Sequence, residues 1–155
     1  MTRFQTLRRA LDLALAVSMA GCIGSINAAH LDPAACVYKL PSQIQWVDSK
    51  DGGSAHAYLY GDPSKPGLYI YLQKWRAHHF SNPHSHPNDR FITVLSGTWW
   101  VGTGSKFDAA SMVAMPAGSF VTHFARQVHY DGAKDEDTIL EIVGQGPATA
   151  IPATP

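Results

Sequence analysis

Short runs of alternating apolar and polar residues, separated by clusters of turn-forming residues, recur through most of this chain. After residue 29, no segment longer than about ten residues keeps apolar side chains at the i, i+3, i+4 spacing of an amphipathic helix. Turn-forming clusters rich in Gly, Asp, Ser and Pro lie at 51–53 and 61–67. Runs rich in β-branched and aromatic residues predict strands at 44–47, 56–60, 67–75, 91–95, 98–101, 119–124 and 138–143. This pattern predicts an all-β domain built as a double-sheet jelly roll.

Residues 1–29 depart from this pattern and have the order of a secretory signal peptide. An arginine-containing start precedes an apolar run at 11–26, and small residues follow at 27–29. The apolar run is interrupted by Asp12 and Ser18, so it falls short of the uninterrupted stretch that would indicate a membrane span. We therefore expect no transmembrane span and a periplasmic or secreted protein.

The end of the signal-like segment allows two forms of processing. Cleavage near Ala28 or Ala29 would leave a domain at 30–146 as the body of the mature protein. Alternatively, the sequence Met-Ala-Gly-Cys approximates a bacterial lipobox, in which Cys22 becomes the lipid-modified first residue. Residues 147–155 are rich in Pro, Ala and Thr and cannot contribute a core. We expect them to form a flexible C-terminal tail or to lie along the surface.

Charge and cysteine content exclude several classes of partner and linkage. The chain has 12 Lys and Arg against 12 Asp and Glu, for a net charge of zero. Removal of 1–29 takes away three arginines and one aspartate, which leaves a net charge of −2. Such a balance does not attract nucleic acid or an anionic membrane. Cys36 would then be the one remaining cysteine, so an intrachain disulfide is excluded.

Histidines are concentrated in the second half of the chain. Six of the eight lie between residues 78 and 129. Each buried imidazole needs a hydrogen-bond partner, and a metal ion satisfies several imidazoles at once. His84 and His86 flank a single residue, so on an extended strand they point to the same side and can share one divalent ion.

The segment HSHPNDRFITVLSG, which begins at His84, resembles the first sequence motif of the cupin superfamily. That motif is written G-x5-H-x-H-x3-E-x6-G, and its two histidines and its glutamate are metal ligands. His84, His86 and Gly97 stand at the matching offsets. His78 occupies the position of the leading glycine, and Arg90 occupies the position of the glutamate.

The segment 118–129 resembles the second cupin motif, G-x5-P-x-G-x2-H. Gly118 matches the first glycine and His129 matches the final ligand. Phe124 and Arg126 replace the proline and the second glycine. An alternative for His129 is a surface position beside a turn formed by Tyr-Asp-Gly.

The two motifs imply a fold, a ligand set and an assembly. The resemblance extends over roughly residues 40–146 and implies an RmlC-like jelly-roll barrel, the double-stranded β-helix of small single-domain bacterial cupins. It implies that His84, His86 and His129 bind one divalent metal, with Fe, Zn, Mn, Ni and Cu left undistinguished. His123 is the alternative third ligand if the register of the second motif slips. Many cupins are homodimers, and a homodimer is an option here.

Arg90 is the main departure from the family pattern. A guanidinium is protonated under nearly all conditions and cannot bind a metal, so three neutral imidazoles remain. This set resembles the 3-His iron site of thiol dioxygenases in the same superfamily. An inward Arg90 would offer a fork to a substrate carboxylate. The alternative is a solvated strand residue, or a partner of a nearby aspartate. Tyr130, or Tyr71, would serve as an acid or a hydrogen-bond donor.

Two functions that use a ligand site are consistent with these residues, and an interaction protein whose barrel is only a scaffold is a third. One is an exported, mononuclear metal-dependent enzyme, similar to a dioxygenase, that acts on a small anionic substrate. The other is a non-catalytic cupin module that holds a metal or a small ligand in the barrel mouth. Metal content and oxygen uptake distinguish the two.

Overall fold

A computed structural model describes residues 31–154, so the predicted signal peptide at 1–29 and the lipobox cysteine Cys22 lie outside the described residues. The contacts divide the chain into two units, and the strands belong to the second unit, Tyr38–Pro155. The described part of the first unit contains a turn, and its Cys36 is exposed. Among the described residues, no helix has the length and apolar character needed to cross a membrane.

Twelve strands and one turn of 3-10 helix at Pro41–Gln43 make up the regular structure of residues 31–154. The strands are β1 (Val47–Asp48), β2 (Ser54–Tyr60), β3 (Gly67–Trp75), β4 (His79–Phe80), β5 (His84–Ser85), β6 (Arg90–Ser96), β7 (Thr98–Thr103), β8 (Val113–Pro116), β9 (Phe120–His123), β10 (His129–Ala133), β11 (Thr138–Gly146) and β12 (Ile151–Pro152). One sheet has the order β1-β2-β3-β11-β6-β9, and the other has the order β12-β5-β10-β7-β8, with β4 paired to β10. Every pairing is antiparallel, as a jelly roll requires.

The two sheets face each other across a core that the strand periodicity predicts. Along β6, Ile92 and Val94 are buried, whereas the alternate residues Phe91 and Leu95 are exposed. Residues on the inner faces of both sheets form one cluster, namely Tyr69, Ile92, Val94, Trp99, Val101, Leu140 and Ile142. Each fully buried side chain of this size contributes about 1.5–3 kcal/mol. The tight turn between β6 and β7 is made by Gly97 at φ +71°, where a Cβ would collide with the carbonyl oxygen of Asp137.

The structure departs from the predicted strands at several places. The predicted strand at 44–47 overlaps β1 only at Val47, and the short strands β4, β5, β8 and β12 were not predicted. The Tyr-Asp-Gly sequence at 130–132 is not a turn but part of β10, whose five residues are all buried. Gly132 fits there because its Cα hydrogens face the carbonyl oxygen of His79, where a side chain would collide. Turn-forming composition therefore reflects close strand packing at this position.

Residues 147–154 are bound to the barrel through their backbone. Ile151–Pro152 pairs with β5, which carries His84. Ala153 donates its backbone N–H to the carbonyl of Pro83 at 2.9 Å. Small side chains limit what this segment adds to the core, but they do not prevent its backbone amides from pairing with a strand. The segment thereby lies against the histidine-bearing strand.

Candidate functional site

Three histidines converge where β5 and β10 meet. His84 begins β5, His86 follows the end of β5, and His129 begins β10 opposite His84 in the sheet register. One side-chain nitrogen from each histidine lies within 4.8 Å of the others. The ring centroids of His84 and His129 are 4.6 Å apart, and those of His86 and His129 are 5.4 Å apart. The structure thus brings together the three histidines that the two motifs predict.

Backbone carbonyls fix the tautomer of all three rings. The Nδ1 atoms of His84, His86 and His129 lie 2.8, 3.2 and 3.1 Å from the carbonyl oxygens of Asn82, Thr149 and Gln127. A carbonyl oxygen only accepts, so each Nδ1 carries the proton and donates it. The lone pair of each ring is therefore on Nε2, and an Nδ1 bound in this way is the usual arrangement of histidines that bind a metal.

Burial keeps the imidazoles of His86 and His129 neutral. Burial lowers the pKa of His86 to about 3 and that of His129 to about 4. His129 Nε2 is buried and has no hydrogen-bond partner among the described residues. An unpaired buried acceptor is costly in a protein interior, and a cation relieves that cost. The three Nε2 atoms therefore fit a divalent metal held by neutral imidazole ligands.

Arg90 lies beside the three histidines, at the position of the family glutamate. Its side chain is on the inner face of β6 and is 8% exposed. Nη1 donates to His86 Nε2, and Nη2 donates to the hydroxyl of Tyr71 at 2.7 Å. Nε is buried without a partner, and no carboxylate of residues 31–154 pairs with the guanidinium. Arg90 is therefore an inward, buried cation with free donors, rather than a solvated strand residue or a partner of an aspartate.

Tyr71 is the tyrosine that lies in the site. Its hydroxyl oxygen accepts a hydrogen bond from Arg90, which leaves its own proton free for another acceptor. Burial raises the pKa of Tyr71, so the phenol stays protonated at neutral pH. Tyr71 and Arg90 together present donors to an anion.

Tyr130, predicted as a catalytic acid or donor, lies outside the histidine cluster. Neighbouring residues of a strand face opposite sides, so the inward His129 places Tyr130 on the other face of β10. The hydroxyl of Tyr130 is 3.0 Å from the Ser111 Oγ and donates to the carbonyl of Asp108 at 3.3 Å. These contacts give Tyr130 a role in holding a loop, and Tyr71 replaces it as the candidate donor.

His123, the alternative third ligand, lies next to the cluster but outside the group of three nitrogens. Its ring centroid is 3.7 Å from that of His129, and it faces Arg90 across the pairing of β6 with β9. Neither of its ring nitrogens has a partner among the described residues. Burial lowers its pKa to about 2, so the ring is neutral. The register that assigns His129 is the one whose nitrogen joins those of His84 and His86.

Backbone conformation supports the alignment of both motifs. The described residues contain two positive-φ residues that are not glycine, His78 at +67° and Arg126 at +63°. These are the two positions at which this chain lacks a glycine of the cupin motifs. The other motif glycines, Gly97 and Gly118, have φ values of +71° and +89°. All four motif glycine positions therefore keep the left-handed conformation that favours glycine, which fixes His84, His86 and His129 in register.

A cavity of about 450 Å³ opens beside the cluster. Its walls include His84, His86, Arg90, Tyr71 and Asp131. The sequence signalled the two histidines and Arg90 through the motif. The sequence does not predict Asp131 as a cavity residue, because Tyr-Asp-Gly at 130–132 has the composition of a turn.

The fold relates the chain to solved structures. No family model and no curated protein matches the sequence. The polyketide cyclase RemF from Streptomyces resistomycificus is similar in structure, with 11% identity, a TM-score of 0.65, and 77% of this chain and 87% of that chain covered. A cupin-2 domain from Rhodospirillum rubrum is 13% identical, with a TM-score of 0.60 and coverages of 77% and 80%. KdgF from Halomonas sp. is also 13% identical, with a TM-score of 0.56 and coverages of 72% and 94%.

At these identities the likeness is one of fold, and it agrees with the sequence motifs. The chain is a cupin by fold, and the predicted RmlC-like jelly-roll barrel is confirmed. A cupin barrel that brings three histidine nitrogens within 4.8 Å of one another supports a metal-binding cupin whose metal is not identified.

Proposed function

We propose that this protein is an exported metal-dependent cupin enzyme that acts on a small anionic substrate. His84, His86 and His129 would bind one divalent ion, and Arg90 would bind a carboxylate of the substrate. The observation that carries the proposal is the buried guanidinium of Arg90, which has no carboxylate partner among the described residues and lies in contact with His86. A buried cation of this kind calls for an anion from outside the chain.

The chemistry follows from the donors around the cavity. His84, His86 and His129 would hold a divalent metal, which when bound would supply a Lewis acid for substrate or oxygen. When the substrate binds, Arg90 would donate to its carboxylate instead of to His86. The lone pair of His86 Nε2 would then be free. The Tyr71 hydroxyl would donate a hydrogen bond to the same carboxylate, since its oxygen already accepts from Arg90. We propose oxygen-dependent oxidation or cleavage as the reaction class, by resemblance to 3-His dioxygenases.

The contact between Arg90 and His86 also favours a second candidate, a non-catalytic module that binds anions. The donor Nη1 occupies the lone pair that the metal would use. A fixed positive charge beside the histidines also lowers their affinity for a cation. In this candidate Arg90 takes the place of the metal, and the barrel binds a small carboxylate without turnover.

Replacement of Arg90 separates the two candidates. Arg90→Gln should raise the dissociation constant for a carboxylate about tenfold or more, as expected for a lost hydrogen bond to a charged group. Its metal affinity should equal or exceed that of the wild type, because a positive charge is removed. Arg90→Glu, which restores the family glutamate, should tighten metal binding further and abolish carboxylate binding. Arg76→Gln is the control, since Arg76 is paired with Asp48 and does not line the cavity.

Metal content and oxygen uptake complete the test. The enzyme proposal requires metal in protein purified from its own compartment, and oxygen uptake with some small acid. Metal-free wild type, together with an Arg90→Gln variant that gains metal, would instead establish the anion-binding module. Unchanged carboxylate and metal affinities in both Arg90 variants would show that Arg90 has no part in either function.

A further inference from the structure

The cavity beside the histidines is larger than a small acid needs. Its volume is about 450 Å³, in the range of pockets that hold ligands of drug size. One wall follows β3 through Tyr71, Gln73 and Trp75, which all line the cavity. The four residue steps from Tyr71 to Trp75 along the extended strand span about 13 Å, so the wall continues well beyond the guanidinium that contacts Tyr71. An acid of two to four carbons bound at Arg90 would leave most of this wall uncovered.

The wall formed by β3 is suited to a flat ring. Tyr71 and Trp75 are half-buried and have aromatic rings, and Gln73 between them adds a polar group. Aromatic side chains that line a pocket pack favourably against planar ligands. Ile142 adds an apolar surface from the neighbouring strand β11. The cavity therefore favours a ligand in which the carboxylate is attached to a ring.

Asp131 supplies a second buried charge to the same cavity. It is 9% exposed and lines the cavity together with Ser81. Ser81 holds it in place, because the Ser81 Oγ donates to Oδ1 at 2.7 Å and accepts from the Asp131 N–H at 2.9 Å. Oδ2 has no hydrogen-bond partner among the described residues, and Arg90 does not pair with this carboxylate. A fixed acceptor thus faces the cavity in addition to the cationic donors of Arg90.

We propose that the ligand of this cavity is a carboxylate attached to a planar ring that carries a hydroxyl or amino group. The carboxylate would bind Arg90 and Tyr71, the ring would pack against the wall formed by Tyr71 and Trp75, and the hydroxyl or amino group would donate to Oδ2 of Asp131. This ligand class rests on the proposed role of Arg90 as the carboxylate site. The juxtaposition of buried Arg90, an aromatic strand wall and buried Asp131 carries it.

A series of four carboxylates tests each part separately by calorimetry on chelated protein and on protein with added zinc. Phenylacetate should bind about tenfold more tightly than acetate, because it buries an additional ring. 4-Hydroxyphenylacetate should bind about tenfold more tightly again, because it gains a hydrogen bond to a carboxylate. 4-Methoxyphenylacetate cannot donate and should lose that second gain.

Two variants assign the effects to residues. Asp131→Asn keeps an oxygen for Ser81, and it should remove most of the difference between the hydroxylated and the unsubstituted ring. Asp135→Asn, an exposed aspartate two residues after β10, is the matched control and should leave the series unchanged. Trp75→Leu should weaken phenylacetate binding and leave acetate binding unchanged.

Distinct results overturn the ligand class and the underlying function. Equal affinities for acetate and phenylacetate would refute the ring, and equal affinities for phenylacetate and its hydroxylated form would refute the role of Asp131. Either result would leave the Arg90 site standing if Arg90→Gln weakens acetate binding. Absence of binding by all four acids would overturn the ligand class together with the proposed carboxylate site.

Discussion

Replacement of Arg126 by glycine should leave the protein more stable than replacement of Arg126 by alanine. Arg126 is exposed, and its φ of +63° lies in the left-handed region. Its backbone N–H donates to the carbonyl oxygen of His86 at 2.7 Å, so this conformation connects the loop before His129 to the loop of the other two histidines. The cupin motif has glycine at this position, and the backbone geometry here gives the physical reason.

The expected gain is the difference between two opposing effects. A left-handed residue with a Cβ costs roughly 1–2 kcal/mol relative to one without. Glycine also makes the unfolded chain more flexible, which lowers the free energy of unfolding by about 0.5–1 kcal/mol and offsets part of that gain. The glycine variant should therefore be about 0.5–1 kcal/mol more stable than an alanine variant. For a domain of this size, such a difference raises the Tm by about 2–5 °C.

Urea and thermal denaturation of Arg126→Gly and Arg126→Ala measure this difference, because both variants lack the arginine side chain. The same pair at Lys106, which is exposed and does not have a positive φ, is the control and should show the opposite sign. If the glycine variant is less stable than the alanine variant at both positions, residue 126 does not have a left-handed backbone conformation. The alignment of the second motif, and with it the assignment of His129, would then lose its conformational support.

Three further predictions concern the site and the N-terminus. Replacing His84, His86 or His129 by alanine should each reduce metal occupancy about tenfold or more, whereas His123→Ala should have a smaller effect; full occupancy in His129→Ala with loss in His123→Ala would reverse that assignment. Chelated protein should lose stability as the pH falls below 6.5, because three buried histidines bind protons in the unfolded chain but not in the folded protein. In the folded protein the pKa values of His86, His123 and His129 are about 3, 2 and 4. The slope should reach about 1.4 kcal/mol per pH unit for each histidine, and His123→Gln should reduce it; a stability that is flat between pH 6.5 and 4.5 would show that these rings are not buried neutral. Mass spectrometry of exported protein should find a first residue near 29 or 30, and retention of Met1 would exclude the signal peptide.

A strand is predicted correctly from its own sequence where that sequence alternates between apolar and polar residues. The alternation along β6 predicts which side chains are inside, and that same alternation places Arg90 inward with Ile92 and Val94. The sequence of β10 gives the opposite signal, since Asp131 and Gly132 are typical of turns. That strand forms because all five of its residues pair with β7, about thirty residues earlier in the chain, while β4 packs against Gly132. Pairing between distant segments overrides the local composition.

Some features of the candidate site follow from short sequence segments, and others depend on contacts between distant segments. The spacing of His84 and His86 and the two motifs predict the ligand set, because those relations lie within short segments. The partner that orients His86 and the residues that complete the cavity come from distant parts of the chain, whereas His84 and His129 are oriented by carbonyls two residues away. The carbonyl of Thr149 reaches His86, and Ser81 reaches Asp131, only through sheet pairing that brings these segments together. Strand alternation from His129 places Tyr130 on the opposite face, but this follows only once residues 129–133 are known to form a strand.

The hydrogen bond from His86 to Thr149 makes the site depend on a segment that follows the last long strand. Sixty-three residues separate the two partners. A chain that ends at Gly146 contains β11 and all three imidazoles, but the ring of His86 has no carbonyl to set its tautomer. Loss of such an orienting partner typically costs ten- to about a hundredfold in metal affinity. We therefore expect a chain that ends before residue 147 to bind metal more weakly than the full chain, and the segment that pairs with β5 to bring the site to full affinity.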